Sequence, residues 1–185
     1  MGTRDDLLAA AKQCLAERGY ARTTVRDIVA ASGTNLAAIN YHFGTRDKLL
    51  NQAMMESSAS AVQQILDSLP ADDPGDPAAR LHAFLRQLIG SFTEDRALWA
   101  ANAESLAQAL HSPELSAELG AAQAHARREL SHFFGGTSPD FAVGAVLQTM
   151  IGGLLLQWLV DPANAPSADT LAAGLRTLAE AVGPA

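Results

Sequence analysis

Apolar residues recur at helical spacing along almost the whole chain, and no segment convincingly alternates with the period of two that marks a strand. Glycine, proline and capping residues separate the periodic segments. The pattern therefore predicts an all-α protein of about nine helices. These run over Thr3–Arg18, from a Thr24 cap to the break at Ser32-Gly33-Thr34-Asn35, from an Asn35 cap through Phe43, over Thr45–Leu69, after the loop Pro70–Pro77, over Arg96–Leu110, over Pro113–Phe134 with Gly135-Gly136 as the stop, over Pro139–Val160, and over Ser167–Val182.

Residues 19–50 predict two short helices joined by a tight turn. The Thr24 hydroxyl can cap the first helix by accepting a bond from an otherwise unpaired amide, and Asn35 can cap the second. Gly33 supplies a turn that suits positive φ. Ile39 and Phe43 lie four apart, so they point inward together. The outward face is then formed by Ala37, Ala38, Asn40 and Tyr41. This arrangement is a helix-turn-helix whose second helix offers a small and polar face to a DNA groove.

This stretch resembles the N-terminal domain of the tetracycline-repressor-like (TetR) family of transcription regulators. The resemblance covers roughly residues 3–50 and is specific, because many constrained positions match at fixed spacing. The matching residues are Gly19-Tyr20, Thr23-Thr24-Val25, Asp27-Ile28, Ala31, Gly33, Tyr41-His42-Phe43, Arg46-Asp47 and Leu49-Leu50. The sequence departs from the family's common residues at Val29, Thr34-Asn35, Asn40 and Arg46.

The resemblance implies a division of labour along the chain. A helix-turn-helix DNA-binding domain is expected over residues 1–47, and a ligand-binding and dimerisation domain over residues 48–185. The implied function is that of a ligand-responsive repressor that binds a palindromic operator as a homodimer. The implied effector is an apolar or amphipathic small molecule of unknown identity, and no cofactor is expected. Its binding would move the fourth helix and change the spacing of the two DNA-binding heads.

The second helix of the motif supplies the main candidates for DNA contact. Asn40 can pair with adenine in the major groove, and an alanine methyl group can pack on a thymine methyl group. Tyr41 and His42 resemble the family's phosphate-contacting pair, although His42 could instead pack half-buried against the first helix. Lys48 and the first amides of the fourth helix can bind another phosphate. The predicted DNA-binding residues are Thr24, Arg26, Asn35, Ala37, Ala38, Asn40, Tyr41, His42 and Lys48.

The C-terminal helices carry weaker signals for a ligand pocket. The sixth helix places Trp99, Asn102 and Leu106 on one face. A buried asparagine needs a partner, because an unpaired amide costs about 1–3 kcal/mol. That partner is a ligand or, in the plainer interpretation, another helix. The predicted ligand-binding residues are Phe92, Trp99, Asn102, Leu106, Phe133, Gln148 and Met150.

The last two helices carry long apolar stripes, and Gly152-Gly153 permits close approach. Such stripes favour a four-helix interface across a two-fold axis, with burial inside the chain as the alternative. A dimer also suits DNA binding, because two heads can read a palindrome. The predicted interface residues are Leu147, Ile151, Leu154, Leu155, Trp158, Leu171, Leu175 and Leu178.

Composition and charge refine this interpretation. The net charge of −7 argues at first against DNA, but residues 1–50 carry +2 and the rest carries −9. This asymmetry suits a protein that touches phosphates at one end only, where Arg22, Arg26 and Arg46 are phosphate contacts or merely solvated. The single cysteine, Cys14, is expected to be buried and fits a reducing cytoplasm. No secretory signal is visible, and Met150–Val160, which carries Gln157, is too short to span a bilayer, so no membrane partner is expected.

The sequence leaves two other functions open. An all-helical enzyme would need convergent catalytic groups, for which His125, Glu129 and His132 offer one face of a helix, and no His or Cys spacing indicates a metal. A helical protein-interaction module with a degenerate helix-turn-helix would not need the caps, the turn and the Tyr41-His42 pair.

Overall fold

The computed structural model describes residues 2–69, 76–135 and 141–183, and these residues form nine helices and no strand. The all-α prediction is confirmed. The ends predicted at described positions agree to within one residue, because local caps and breakers set them. The segment 70–75, Gly136 and the predicted start at Pro139 lie outside the described residues. The helices are α1 (Thr3–Arg18), α2 (Val25–Ser32), α3 (Leu36–Phe43), α4 (Arg46–Ser68), α5 (Pro77–Glu94), α6 (Arg96–Ala109), α7 (Pro113–Phe134), α8 (Ala142–Val160) and α9 (Ala168–Val182).

The helices pack as two compact units. The first consists of the chain up to Ser60 together with Asp95–Ala124, and the second consists of Ala61–Glu94 together with the chain from His125 onward. Helices α4 and α7 each contribute residues to both units. This division by packing does not follow the predicted functional boundary after residue 47, which stays a prediction.

The first unit has a continuous apolar core in which α1 packs against α2, α3 and α6. Cys14 belongs to this core, and burial, reinforced by the nearby Asp27 and Glu17 carboxylates, raises the pKa of its thiol. An inert packing role follows for this cysteine. The core side chains include Leu7, Ala11, Leu15, Ile28, Ile39, Phe43, Leu49, Leu50, Met54, Ala101, Leu115 and Leu119.

A buried polar network crosses the first unit. The Tyr20 hydroxyl donates to Asn51 Oδ1 at 2.8 Å, and the Ser105 hydroxyl donates to the same oxygen at 3.1 Å. All three side chains are buried, so each bond also avoids the cost of an unpaired polar group. The network ties the α1–α2 turn to α4 and α6.

Arg46 braces the same turn from the start of α4. Its guanidinium donates to the carbonyl oxygens of Tyr20 and Thr23, at 2.6 Å each, and lies 5.4 Å from the centre of the Tyr20 ring. The sequence offered two roles for Arg46, phosphate contact or free solvation. The structure corrects the second, because the guanidinium is bound to the backbone of the turn, and the phosphate contact stays a prediction.

We expect alkaline pH to weaken the first unit through Tyr20. Burial, with a further contribution from Asp47, raises the pKa of Tyr20 to about 12. Below about pH 10 the hydroxyl is neutral in both states, so its stabilising effect is complete. Between about pH 10 and 12 only the unfolded tyrosine ionises, which removes about 2–3 kcal/mol of stability.

Urea unfolding of the wild type and of Tyr20→Phe at pH 9 and pH 11.5 measures this effect. The variant should be less stable at pH 9, where it lacks the bond to Asn51, and the gap should narrow or reverse at pH 11.5. A gap that stays constant across this range would contradict the assignment.

In the second unit, α5 packs against both α8 and α9. Helix α8 comes into unusually close contact with α7 at Gly144. The Gly144 amide donates to the Ser131 hydroxyl at 2.9 Å, and a Cβ added to Gly144 would lie 1.9 Å from the Arg127 carbonyl oxygen. Only a residue without a side chain fits there. The core side chains of this unit include Phe84, Leu85, Leu88, Phe92, Leu130, Leu147, Leu154 and Leu155.

The buried face of α8 contains residues that the sequence assigned to a dimer interface. Leu147, Leu154 and Leu155 are buried within the chain, and Ile151 is partly buried. The Trp158 indole donates to the Pro166 carbonyl oxygen at 3.2 Å. Three of the five predicted interface residues on α8 are therefore buried inside the chain and the other two are partly buried, as in the alternative that the sequence left open.

The opposite face of α8 is apolar and exposed. It carries Val146, Leu156 and Val160, with Gly152 and Gly153 between them. By length and composition alone α8 could cross a membrane, with a mean hydropathy of 1.7. The prediction that Met150–Val160 is too short to span a bilayer was based on only part of this helix. Apolar composition on both faces explains why periodicity could not tell the buried face from the exposed one.

Candidate nucleic-acid interface

Side-chain caps hold the helix-turn-helix in shape. At the start of α2, Thr24 Oγ1 accepts from the Asp27 amide at 3.3 Å, while Asp27 Oδ2 accepts from the Thr24 amide at 2.8 Å. The Thr24 hydroxyl also donates to Asp27 Oδ2 at 2.7 Å, and this bond, together with the one from the Thr24 amide, lowers the pKa of the Asp27 carboxyl. Gly33 ends α2 with φ of 65°, a left-handed conformation that favours glycine. Asn35 Oδ1 accepts from the Ala38 amide at 3.0 Å and starts α3. The predicted caps and turn are confirmed.

Helix α3 rests on the core through Ile39 and Phe43, as predicted from their spacing. Its opposite face is open. Ala37 and Asn40 are exposed, and Tyr41 has 85% of its surface accessible. This face offers a methyl group, an amide and a phenol, which are groups that contact base edges and phosphates.

Two predicted contact residues are less accessible. Ala38 is half-buried and packs against the core, which corrects its placement on the outward face. His42 is also half-buried, and its ring meets the Tyr41 ring edge-on at 4.9 Å between centroids. His42 therefore offers less of its surface to a partner than Tyr41 does, and its contact with DNA stays a prediction.

The cationic candidates divide into free and paired groups. Arg26 is exposed, as are the caps Thr24 and Asn35. Lys48 Nζ donates to Glu114 Oε1 at the start of α7, at 2.6 Å, and this hydrogen bond raises the pKa of Lys48. Both side chains are well exposed, so the pair is weak enough for a phosphate to replace Glu114.

The predicted ligand-binding residues are divided between the two units. Asn102 Nδ2 donates to Ser58 Oγ at 3.0 Å, which is the interhelical bond of the plainer interpretation. Gln148 accepts from Arg127 at 3.2 Å. Trp99, Asn102 and Leu106 belong to the first unit. Phe92, Phe133, Gln148 and Met150 belong to the second.

Two surface cavities occur elsewhere. One of about 470 Å³ lies between α5 and α9, where His82 Nε2 lies 2.7 Å from Asp169 Oδ1. Another of about 430 Å³ lies beside the end of α3. Neither is lined by a predicted ligand residue. The first is lined by Asp76, Ala78, Ala79, Leu81, His82, Asp169, Ala172, Leu175, Arg176 and Ala179, and the second by His42, Phe43, Lys48, Gln52, Met55, Glu56 and Glu118.

Sequence reasoning missed Leu36. It lies three and seven residues before Ile39 and Phe43, so its spacing suggests a core residue, yet 53% of its surface is exposed. No sequence signal identifies this exposure, because it depends on where the first turn of α3 projects beyond the core. The side chains of Asn51 and Ser105 were also missed as partners of Tyr20.

Two family models match the chain. Residues 7–53 match bacterial regulatory proteins of the tetR family, and residues 77–183, more than half of the chain, match the C-terminal domain of BetI-type transcriptional repressors. The chain belongs to the tetR family. The family predicted from residues 19–50 is thereby confirmed, and the second match extends it to the helices that no sequence motif identified.

Curated relatives of this tetR-family chain are transcription regulators. The repressor AcnR of Corynebacterium efficiens is 32% identical over 68 residues, which cover 37% of this chain and 36% of the relative. The regulator LmrA of Bacillus subtilis is 33% identical over 96 residues, half of each chain. The chain thus matches about a third to a half of the length of these relatives.

Solved structures share the fold over almost the whole tetR-family chain. A transcriptional regulator from Rhodococcus sp. Rha1 has a TM-score of 0.71 at 23% identity, covering 97% of both chains. The multidrug binding protein EbrR, complexed with proflavin, has a TM-score of 0.72 at 20% identity, covering 96% of this chain and 100% of that one. At this identity the likeness concerns the fold.

Histidines and carboxylates do not gather into a metal site in the parts of the chain that the structure describes. His125 and His132, the pair considered for an enzyme, are exposed on α7. Family membership, and not this absence, assigns the chain to the transcription regulators.

Proposed function

We propose that this tetR-family protein is a cytoplasmic, ligand-responsive repressor that binds a palindromic operator as a homodimer. It acts by binding and not by catalysis, without a membrane partner or a cofactor. The observation that carries the proposal is the outward face of α3, where Ala37, Asn40 and Tyr41 stand exposed on a helix whose inner face is fixed by Ile39 and Phe43. A helix held in this way can enter the major groove without disturbing the core.

Phosphate contacts would come from residues around α3. Tyr41 can donate its hydroxyl to a phosphate, and Arg26 and Lys48 can supply charge, Lys48 after exchanging Glu114 for the phosphate. Thr24 and Asn35 lie at the exposed starts of α2 and α3, where free amides also favour anions. These contacts set the position of the head, and Asn40 and Ala37 would read the bases.

The dimer is proposed to form through the exposed face of α8. Val146, Leu156 and Val160 give it an apolar stripe, and Gly152 and Gly153 allow a partner helix to approach closely. On α9, Leu178 and Val182 are exposed, whereas the predicted residues Leu171 and Leu175 are half-buried. An isologous contact of this kind would present two heads to two half-sites.

The effector is proposed to be an apolar or amphipathic small molecule bound by residues 77–183. EbrR, which has the same fold, was solved with proflavin, and this supports a ligand role for the C-terminal helices. Helix α4 begins directly after α3 and contributes residues to both units. A structural change around its C-terminal half could therefore move its N-terminal half. Operator affinity that is equal with and without a confirmed ligand would contradict this mechanism.

Selection of bound duplexes from a random DNA pool tests the proposal. A palindromic winner bound with a steep dependence on salt is the expected result, since neutralised phosphates release counterions. No enrichment from folded, dimeric protein would instead favour the protein-interaction module.

Tyr41→Ala should weaken operator binding by at least about tenfold, because a bond to a charged phosphate oxygen is lost at each half-site. Stability should hardly change, because the side chain is exposed. Tyr41→Phe, which removes only the hydroxyl, should reproduce most of the loss in a gel-shift or anisotropy titration. Unchanged affinity in both variants would show that Tyr41 does not contact the operator.

A further inference from the structure

The exposed apolar surface of the DNA-binding head is concentrated on α3. Among the described residues up to position 53, the large apolar or aromatic side chains with more than a third of their surface accessible are Leu36, at 53%, and Tyr41, at 85%. Both belong to the helix that carries the proposed interface. Tyr41 has a hydroxyl to offer a phosphate, whereas Leu36 has only methyl groups.

The position of Leu36 on α3 explains its exposure. It is the first residue of the helix, directly after the Asn35 cap, while Ile39 and Phe43 behind it reach the core. One helical turn further along, Asn40 is exposed, and residues four apart lie next to each other on a helix surface. Leu36 and Asn40 therefore form one patch that is apolar at one end and an amide at the other.

We propose that Leu36 is a specificity-determining residue that packs against the C5-methyl group of a thymine in each operator half-site. This inference rests on the proposed DNA-binding function. Thymine is the base that presents a methyl group in the major groove, and the neighbouring Asn40 has the donor and acceptor that match adenine. The patch thus fits an A·T-containing step, with a leucine in place of the polar groups that read G·C pairs.

Replacing thymine by deoxyuracil tests the contact, because it removes only the methyl group. Each thymine of the selected operator is replaced in turn, symmetrically in both half-sites, and affinity is measured for the full dimeric protein. The wild type should lose about fourfold per half-site at one position, which corresponds to one buried methyl group, and about tenfold or more over both.

Variants at Leu36 complete the cycle. Leu36→Ala and Leu36→Gln should bind the thymine operator as weakly as the wild type binds the uracil operator. Their affinity should fall little further when the thymine is replaced by uracil. Leu110→Ala, which truncates an 82% exposed leucine of the same unit outside α3, should keep the full wild-type sensitivity. Thermal melts should be unchanged, because both leucines are exposed.

Two results would overturn the proposal. One is a wild type that tolerates uracil at every position; the other is a Leu36→Ala protein that is as sensitive to uracil as the wild type. A Leu36→Ala protein with full operator affinity but weakened binding to another protein would assign the patch to a protein partner instead. Failure of the DNA-binding function itself is seen earlier, as a selection that enriches no duplex.

Discussion

Gly144→Ala is expected to be the most destabilising small substitution in the second unit. The new methyl group would lie 1.9 Å from the Arg127 carbonyl oxygen and 2.5 Å from Ser131 Oγ. The atoms in its way include backbone, so α8 must move off α7 and the bond from the Gly144 amide to Ser131 is strained or lost. Together these effects should remove about 3 kcal/mol, the upper end for overpacking.

Calorimetry should show this loss as a fall in Tm of roughly 6–12 °C for a chain of this size. Gly120→Ala is the matched control on α7, because a Cβ there meets no atom within 4 Å. It should stabilise the protein by about 0.5–1 kcal/mol through helix propensity alone. Equal Tm values for the two variants would contradict the close contact between α7 and α8 at Gly144.

Leu156→Glu should convert the protein to a monomer. Leu156 lies in the middle of the exposed apolar stripe of α8, between Val146 and Val160. In a two-fold interface the substitution occurs on both sides, so two carboxylates would be buried without partners, at a cost of several kcal/mol. We expect the dissociation constant of the dimer to rise by more than about a hundredfold. Operator affinity should fall with it, because a lone head makes half of the contacts.

Sedimentation at micromolar concentration measures the oligomeric state, and the operator titration follows in the same buffer. Leu110→Glu makes the same change of charge at an exposed leucine away from α8, and it should stay dimeric. A Leu156→Glu protein that sediments as a dimer would exclude this face as the interface. A monomeric wild type would reject the homodimer altogether.

The sequence predicted best those features that depend on neighbouring residues. Thr24 and Asn35 cap their helices through amides only three residues away, so the residue types alone indicate the helix starts. Ile39 and Phe43 were assigned to the core by their spacing. The family followed from the same stretch, because the helix-turn-helix is built from such local constraints.

Features that depend on distant residues could not be predicted. The Arg46 guanidinium binds carbonyl oxygens 23 and 26 positions earlier, and nothing in the local sequence distinguishes it from a phosphate-binding arginine. Leu147 and Leu156 are equally apolar, and only the packing of the second unit shows that the first is buried and the second exposed. The predicted ligand residues belong to two different units for the same reason: helical spacing orders residues on one helix but not between helices.

The buried Asn51 side chain affects whether the N-terminal part of the chain can fold as a separate fragment. Its carbonyl oxygen is shared by Tyr20 and by Ser105, which lies 54 positions further along. Ala101, Leu115 and Leu119 belong to the same core as the N-terminal helices. A fragment that ended after the family's N-terminal domain, near residue 53, would lose this bond and open that core to water. We therefore expect that the N-terminal segment proposed to bind DNA does not fold by itself. It should melt together with α6, whose residues lie outside the proposed operator contacts.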